Sequence, residues 1–291
     1  MRRAAAAAAL ATLALGVADA AATFPGSNGR IAYVSGGIWT ARPDGSFRRP
    51  LLRRPGLFPR SVEWSPDGRR LVFAADDLYT VRSDGGGLRR LTRTSGYEEE
   101  PSWSPDGRRI AYLLRDRSSY RSSLWTTDAR GGDRRRLADA GYGGAEWAPD
   151  GRSIAYPFAT GGLGLLDLAT GEARRISPVE YGSARVSWSP DSAWIAFEQH
   201  EFTHDYPCQG CRPGFDLLAK VRPDGTGYQE LARGQDRLHV SPLWSPDGRR
   251  LAYCVGISGS YERWTMSPDG GDRRRAWASG CSGASWQPRP R

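Results

Sequence analysis

One phrase of ten residues is written five times in this chain: Trp64-Ser65-Pro66-Asp67-Gly68-Arg69-Arg70-Leu71-Val72-Phe73, then Trp103 to Tyr112, Trp147 to Tyr156, Trp188 to Phe197 and Trp244 to Tyr253. A remnant, Trp286-Gln287-Pro288, follows near the C-terminus. The six Trp residues stand 39, 44, 41, 56 and 42 positions apart. Periods of ~40 to 45 residues are those of four-stranded propeller blades, units that bury their apolar faces only against one another. A chain with this repeat must therefore stack its copies side by side.

Each copy reads as a hairpin. Pro presets φ, the Asp side chain bonds nearby backbone and Gly takes φ > 0, so Ser-Pro-Asp-Gly makes a tight turn between two strands. Downstream comes a second apolar run, such as Leu78-Tyr79-Thr80-Val81 or Leu124-Trp125-Thr126. A second turn follows at Asp84-Gly85, Asp224-Gly225 or Asp269-Gly270, and an Arg-Arg-Leu type strand closes the unit. The unit is four antiparallel strands, a to d, with tight a-b and c-d turns and with b-c and d-a connections free to vary. The first copy starts mid-unit: Gly29 to Tyr33 reads as strand b and Ile38 to Thr40 as strand c, so Ser285-Trp286-Gln287 supplies the missing strand a. The expectation is an all-β, six-bladed β-propeller whose N- and C-terminal segments share one blade, a closure that removes exposed sheet edges.

Composition places this ring in a compartment. Arg2 and Arg3 precede an apolar stretch from Ala4 to Val17, and Ala18-Asp19-Ala20 offers small residues where a signal peptidase reads, so residues 1–20 are expected to be a signal peptide and 21–291 the propeller. No Cys follows that stretch until Cys208, which excludes a lipoprotein anchor, and no later run reaches the ~20 apolar residues of a membrane span. The four Cys then meet an oxidising compartment. Topology pairs Cys208 with Cys211 and Cys254 with Cys281, the second link tying the last complete blade to the closing segment for roughly 3 kcal/mol. An alternative uses His200, His204, Cys208 and Cys211 as a tetrahedral zinc set in H-x3-H-x3-C-x2-C order; apart from this zinc reading, no cofactor is expected. His200-Glu201-Phe202-Thr203-His204 also matches H-E-x-x-H. A strand before it and Tyr206-Pro207 after it deny it the helix that a metalloprotease needs.

The Trp-Ser-Pro-Asp-Gly-Arg-Arg-Ile-Ala-Tyr phrase resembles the WD40-like repeat of TolB-type β-propellers, over Asn28 to Gln287. No copy carries the Gly-His and Trp-Asp pair of ordinary WD40 repeats. The resemblance implies a secreted or periplasmic six-bladed propeller used mainly for protein interaction. TolB proteins carry an α/β domain before the propeller, whereas only a few residues separate Ala20 from the first strand here, so the resemblance is to the propeller module.

Topology also sorts residues between two faces. The a-b and c-d turns repeat Asp-Gly-Arg-Arg and read as a solvated, partly self-neutralised face. The b-c and d-a loops hold the length variation that marks a binding face. They gather Tyr97, Tyr120, Tyr142, Tyr181, Tyr206 and Tyr261, together with the acidic run Glu98, Glu99 and Glu100 and with His239; Tyr suits recognition because it offers large area and a polar tip. The recurring Trp residues read as packing between blades. Glu63 and Glu146, each one residue before such a Trp, are candidates for the channel mouth, where they would attract a cation or a basic peptide.

There is no G-x-S-x-G elbow, P-loop or dinucleotide fingerprint. The net charge of +9 is carried almost wholly by Arg spread around the repeat, which argues for an anionic envelope polymer rather than a nucleic-acid groove. The function expected is a monomeric, extracytoplasmic, non-enzymatic scaffold that binds a protein, peptide or envelope polymer. The alternative is a hydrolase or lyase with its site at the channel mouth.

Overall fold

The alternation of apolar and polar residues around each Ser-Pro-Asp-Gly turn produces, among the described residues, 24 strands in six four-stranded antiparallel sheets. A computed structural model describes residues 25–177, 185–201, 215–234, 238–257, 260–278 and 283–289. In chain order, β1 (Ser27–Val34), β2 (Ile38–Ala41) and β3 (Arg49–Leu52) belong to blade 1. Blade 2 is β4 (Ser61–Trp64), β5 (Arg70–Ala75), β6 (Asp77–Arg82) and β7 (Arg89–Arg90); blade 3 is β8 (Tyr97–Trp103), β9 (Arg109–Arg115), β10 (Ser122–Asp128) and β11 (Arg135–Ala140). Blade 4 is β12 (Glu146–Trp147), β13 (Ser153–Pro157), β14 (Leu163–Asp167) and β15 (Ala173–Arg175). Blade 5 is β16 (Val186–Trp188), β17 (Ile195–Glu201), β18 (Phe215–Val221) and β19 (Gln229–Gly234). Blade 6 is β20 (Leu238–Trp244), β21 (Leu251–Ile257), β22 (Ser260–Met266) and β23 (Arg274–Ala278). The last strand, β24 (Ala284–Arg289), pairs with β1, Trp286 opposite Ile31, so both ends of the chain build blade 1 as expected.

The turn chemistry is explicit in blade 2. Ser65 Oγ donates to Asp67 Oδ1 at 2.5 Å and accepts from Arg70 N at 2.9 Å, while Gly68 N donates to Ser65 O at 2.8 Å with φ +64° at Gly68. The same set recurs at Ser104 and Ser245. In blade 5 Ser192 takes the Gly position and its φ is +59°.

The core lies between sheets. Trp64, Trp103, Trp147, Trp188, Trp244 and Trp286 are all buried, as is the aliphatic strand-c residue of each of the first five blades: Ile38, Leu78, Leu124, Leu163 and Leu218. On the a-b and c-d face the expected mutual neutralisation is present: Arg109 meets Asp133 at 2.6 Å and Arg250 meets Asp272 at 2.5 Å.

Candidate functional site

Strand a is the inner edge strand of every sheet, so the N–H of its Trp points away from strand b and needs a partner from elsewhere. The side chain just before the Trp of the preceding blade supplies it. Ser285 Oγ accepts from Trp64 N, Glu63 Oε2 from Trp103 N, Ser102 Oγ from Trp147 N and Ser187 Oγ from Trp244 N, each at 3.0–3.1 Å. Between blades 4 and 5 the stitch changes, and Glu146 O accepts from the Trp188 indole at 3.1 Å. Between blades 6 and 1 the position is Leu243, which has no polar atom to offer.

This ring of stitches surrounds a cavity of about 110 Å³ that opens to solvent. It occupies the channel on the d-a side of the Trp layer, where Glu63, Glu100, Glu146, Arg185 and Arg263 meet. Glu63 and Glu146, read from sequence as candidates for the channel mouth, both line it. Glu100 Oε1 is 3.3 Å from Arg185 Nη2, and Arg185 Nη1 donates to Ser241 Oγ at 2.8 Å. Buried Glu198 stands behind Ser241 and accepts its N–H at 2.7 Å. Glu100 and Ser241 adopt φ of +45° and +55°, each directly before a Pro and within a β-bulge, so backbone strain is concentrated on the cavity wall.

The electrostatics follow from this burial. Desolvation, reinforced by the charge of Glu146, pushes the Glu63 carboxyl well above the usual range, against the bonds from Trp103 and Ser102. Desolvation also raises Glu100, although Arg185 opposes it. The charge of Glu100 raises Arg185. Arg263 is pushed down to about 10 by burial and by Arg185.

Sequence reading missed three of these charges, yet the repeat contained the signal. Arg263 stands opposite Cys254 in the register that places Ile38, Leu78, Leu124, Leu163 and Leu218 in the other blades. Glu198 takes the facing strand-b position, occupied elsewhere by Val34, Ala74, Leu113, Pro157 and Cys254. Arg185 stands three residues before its Trp, where Ser61, Gly144, Ser241 and Gly283 stand in four other blades.

The variable-loop face divides. Tyr120 and Tyr142 are 58% and 53% exposed, and the Tyr142 hydroxyl donates to Tyr120 O at 2.9 Å. Beside them Tyr97 lies under three guanidiniums, Arg117 at 4.1 Å, Arg115 at 4.9 Å and Arg60 at 5.3 Å from its ring centre. Glu98 corrects the expectation: it is 0% exposed, and its Oε2 accepts from Leu78 N at 2.9 Å and from the Thr92 hydroxyl. An extended start to β8 turns this side chain into the blade, where it joins blades 2 and 3 instead of facing a partner.

Residues 1–20, Tyr181, His204, Tyr206, Cys208, Cys211 and Cys281 lie outside the described residues, as do the side chains of His200, His239 and Tyr261. Cys254 is fully buried on β21 and is disulfide-bonded. Among the described residues no three His, Cys, Asp or Glu are arranged to hold a metal ion, and no helix is long and apolar enough to cross a membrane.

Residues 55–205 match a family model described as the TolB beta propeller domain, PD40. A stretch of 55 residues is 42% identical to Dipeptidyl-peptidase 5 of Porphyromonas endodontalis, covering 19% of this chain and only 8% of that protein. Among solved structures, TolB from Acinetobacter baumannii matches with a TM-score of 0.72 at 19% identity, over 91% of this chain and 68% of that one. Oligogalacturonate lyase from Vibrio parahaemolyticus matches with a TM-score of 0.54 at 16% identity, over 87% of this chain and 73% of that one. At these identities the structural likeness is one of fold.

Proposed function

Since the chain belongs to the TolB β-propeller family, we propose that it is a secreted, non-enzymatic binding propeller that presents its b-c and d-a loops to a protein, peptide or anionic envelope polymer. The observation that carries this reading is the exposed pair Tyr120 and Tyr142 beside the Arg-capped Tyr97. Tyr and Arg are the side chains that dominate interface cores, since each brings large contact area together with hydrogen-bonding capacity. The interlocked pair is partly pre-ordered, which lowers the entropy lost on binding. Removal of a signal peptide after Ala20 would deliver the chain outside the cytoplasm, and a Cys254–Cys281 link would brace the closing segment.

The test is capture by chemical cross-linking from a cell-envelope fraction, with the wild-type chain against Tyr120→Ser/Tyr142→Ser. The reading requires the double variant to lose the captured species while its melting temperature stays within a few degrees of wild type. An identical cross-linking pattern from the two proteins would refute it.

A second reading, a hydrolase or lyase, rests on the cavity. Glu63 is held towards its acid form on the cavity wall beside Glu146, and a carboxyl so shifted can serve as a general acid. Turnover found in a screen of glycans and peptides, and lost in Glu63→Ala, would favour it.

A further inference from the structure

The cavity is where the repeat breaks its own rules. Glu63 and Glu146 take a position filled by Ser in three blades, Arg263 a position filled by Leu or Ile in all five others, and Glu198 one that is apolar elsewhere. Burying charge costs free energy that Ser, Leu or Ile would not incur. Departures from a template that a fold otherwise repeats faithfully are expected where function overrides stability.

The charges are unevenly placed. Carboxylates enter from blades 2, 3 and 4 and guanidiniums from blades 5 and 6, so among the described residues three acids face two bases on the cavity wall, with Glu198 behind them. Glu100 is engaged by Arg185. The charges acting on Glu63 are Glu146 from β12 and Glu100 from β8, while Arg185 and Arg263 stand across the cavity. A proton on Glu63 relieves the excess, and a cation entering on that side would displace it.

Size limits the cation. An engineered cavity of about 150 Å³ holds benzene, with its six heavy atoms, so space of about 110 Å³ suits four or five. A guanidinium group has four heavy atoms and a planar fork that suits carboxylates, and a primary ammonium with a short stem is of the same order.

We propose that this cavity binds the guanidinium or primary ammonium end of an organic cation between Glu63 and Glu146, with the rest of the molecule leaving through the open mouth. The proposal goes beyond the tyrosine face and does not depend on it. Binding expels the Glu63 proton, so affinity rises with pH until Glu63 is ionised in the free protein.

The experiment is isothermal titration of the full chain with methylguanidinium, ethylammonium, acetate and the neutral isostere methylurea, at two pH values and in two buffers of different ionisation enthalpy. Saturable one-to-one binding of at least one of the two cations is expected, with release of up to one proton and no binding of acetate or methylurea. Which cation binds more tightly identifies the headgroup. Glu63→Gln keeps an oxygen for Trp103 N but removes the charge, and should weaken binding roughly tenfold or more and abolish proton release. Glu146→Gln leaves the Glu63 stitch intact and should also weaken binding, which keeps the test decisive if Glu63→Gln fails to fold. Methylurea binding as well as methylguanidinium, wild-type affinity in the variants, or no heat from either cation would overturn the proposal. None of these results bears on capture by Tyr120 and Tyr142.

Discussion

Replacing Ser187 by Ala isolates one stitch of the ring. The side chain is 1% exposed, its Oγ accepts from Trp244 N at 3.1 Å, and the change removes a single oxygen, so cavity costs stay small. What remains is the desolvation penalty of a buried N–H that has lost its acceptor, about 1–3 kcal/mol. At roughly 2–4 °C per kcal/mol for a domain of this size, the melting temperature should fall by about 2–12 °C. Ser285 makes the same bond elsewhere in the ring, so Ser285→Ala should give a similar loss, and Ser102→Ala, which removes the same bond and also one to the Glu63 carboxyl, should lose at least as much. If the three add, the triple variant loses about 3–9 kcal/mol, much of the 5–15 kcal/mol typical of a whole domain. The assay is urea unfolding followed by Trp fluorescence, with exposed Ser95→Ala as control. The midpoint should drop at constant slope. A loss below about 0.5 kcal/mol for Ser187→Ala, the level of ordinary surface changes, would refute the claim that these bonds hold neighbouring blades together.

Other expectations concern single positions. The Glu63 carboxyl is raised in the fold relative to its unfolded value near 4.3, so the wild-type protein loses stability as pH rises from about 4.3 towards the folded value. Glu63→Gln lacks that loss, and its stability relative to wild type should increase with pH in urea unfolding at several pH values; a difference that does not change with pH would contradict this. Gly131 has φ +91° and an added Cβ would stand 2.1 Å from Leu91 O, so Gly131→Ala should destabilise by at least 1–3 kcal/mol, read by the same unfolding assay. Intact-mass measurement of the exported protein should give a chain beginning at Ala21 and lighter by about four hydrogens, the mark of two disulfides; free thiols and a chelator-sensitive zinc would instead support the His200, His204, Cys208 and Cys211 set.

The fold was legible because its local chemistry repeats. Ser65, Asp67 and Gly68 specify their turn whatever surrounds them, and the recurring Trp counts the blades. The site was less so. Tyr97-Glu98-Glu99-Glu100 reads as an acidic loop, but it is the extended start of β8, and period-two alternation with a bulge sends the three carboxylates to different places. Glu98 goes into the blade, Glu99 to Arg115 at 2.6 Å and Glu100 to the cavity. A run of identical residues carries no phase, so the sequence offers no way to tell these fates apart. Arg263 is different: its anomaly shows once the blades are aligned, but its direction into the channel follows only from closure of the ring.

The pairing of β24 with β1 also sets an order of events during synthesis. β1 emerges early and its partner β24 after every other described strand, so blade 1 stays three-stranded, with Ile31 and Tyr33 on an open edge, until residue 289 has left the ribosome. The central cavity needs Ala284, Ser285 and Trp286, so it too is incomplete until then. A nascent chain of this design has no finished central cavity until β24 pairs, and a truncation before β24 should remove the cavity and expose an adhesive edge together.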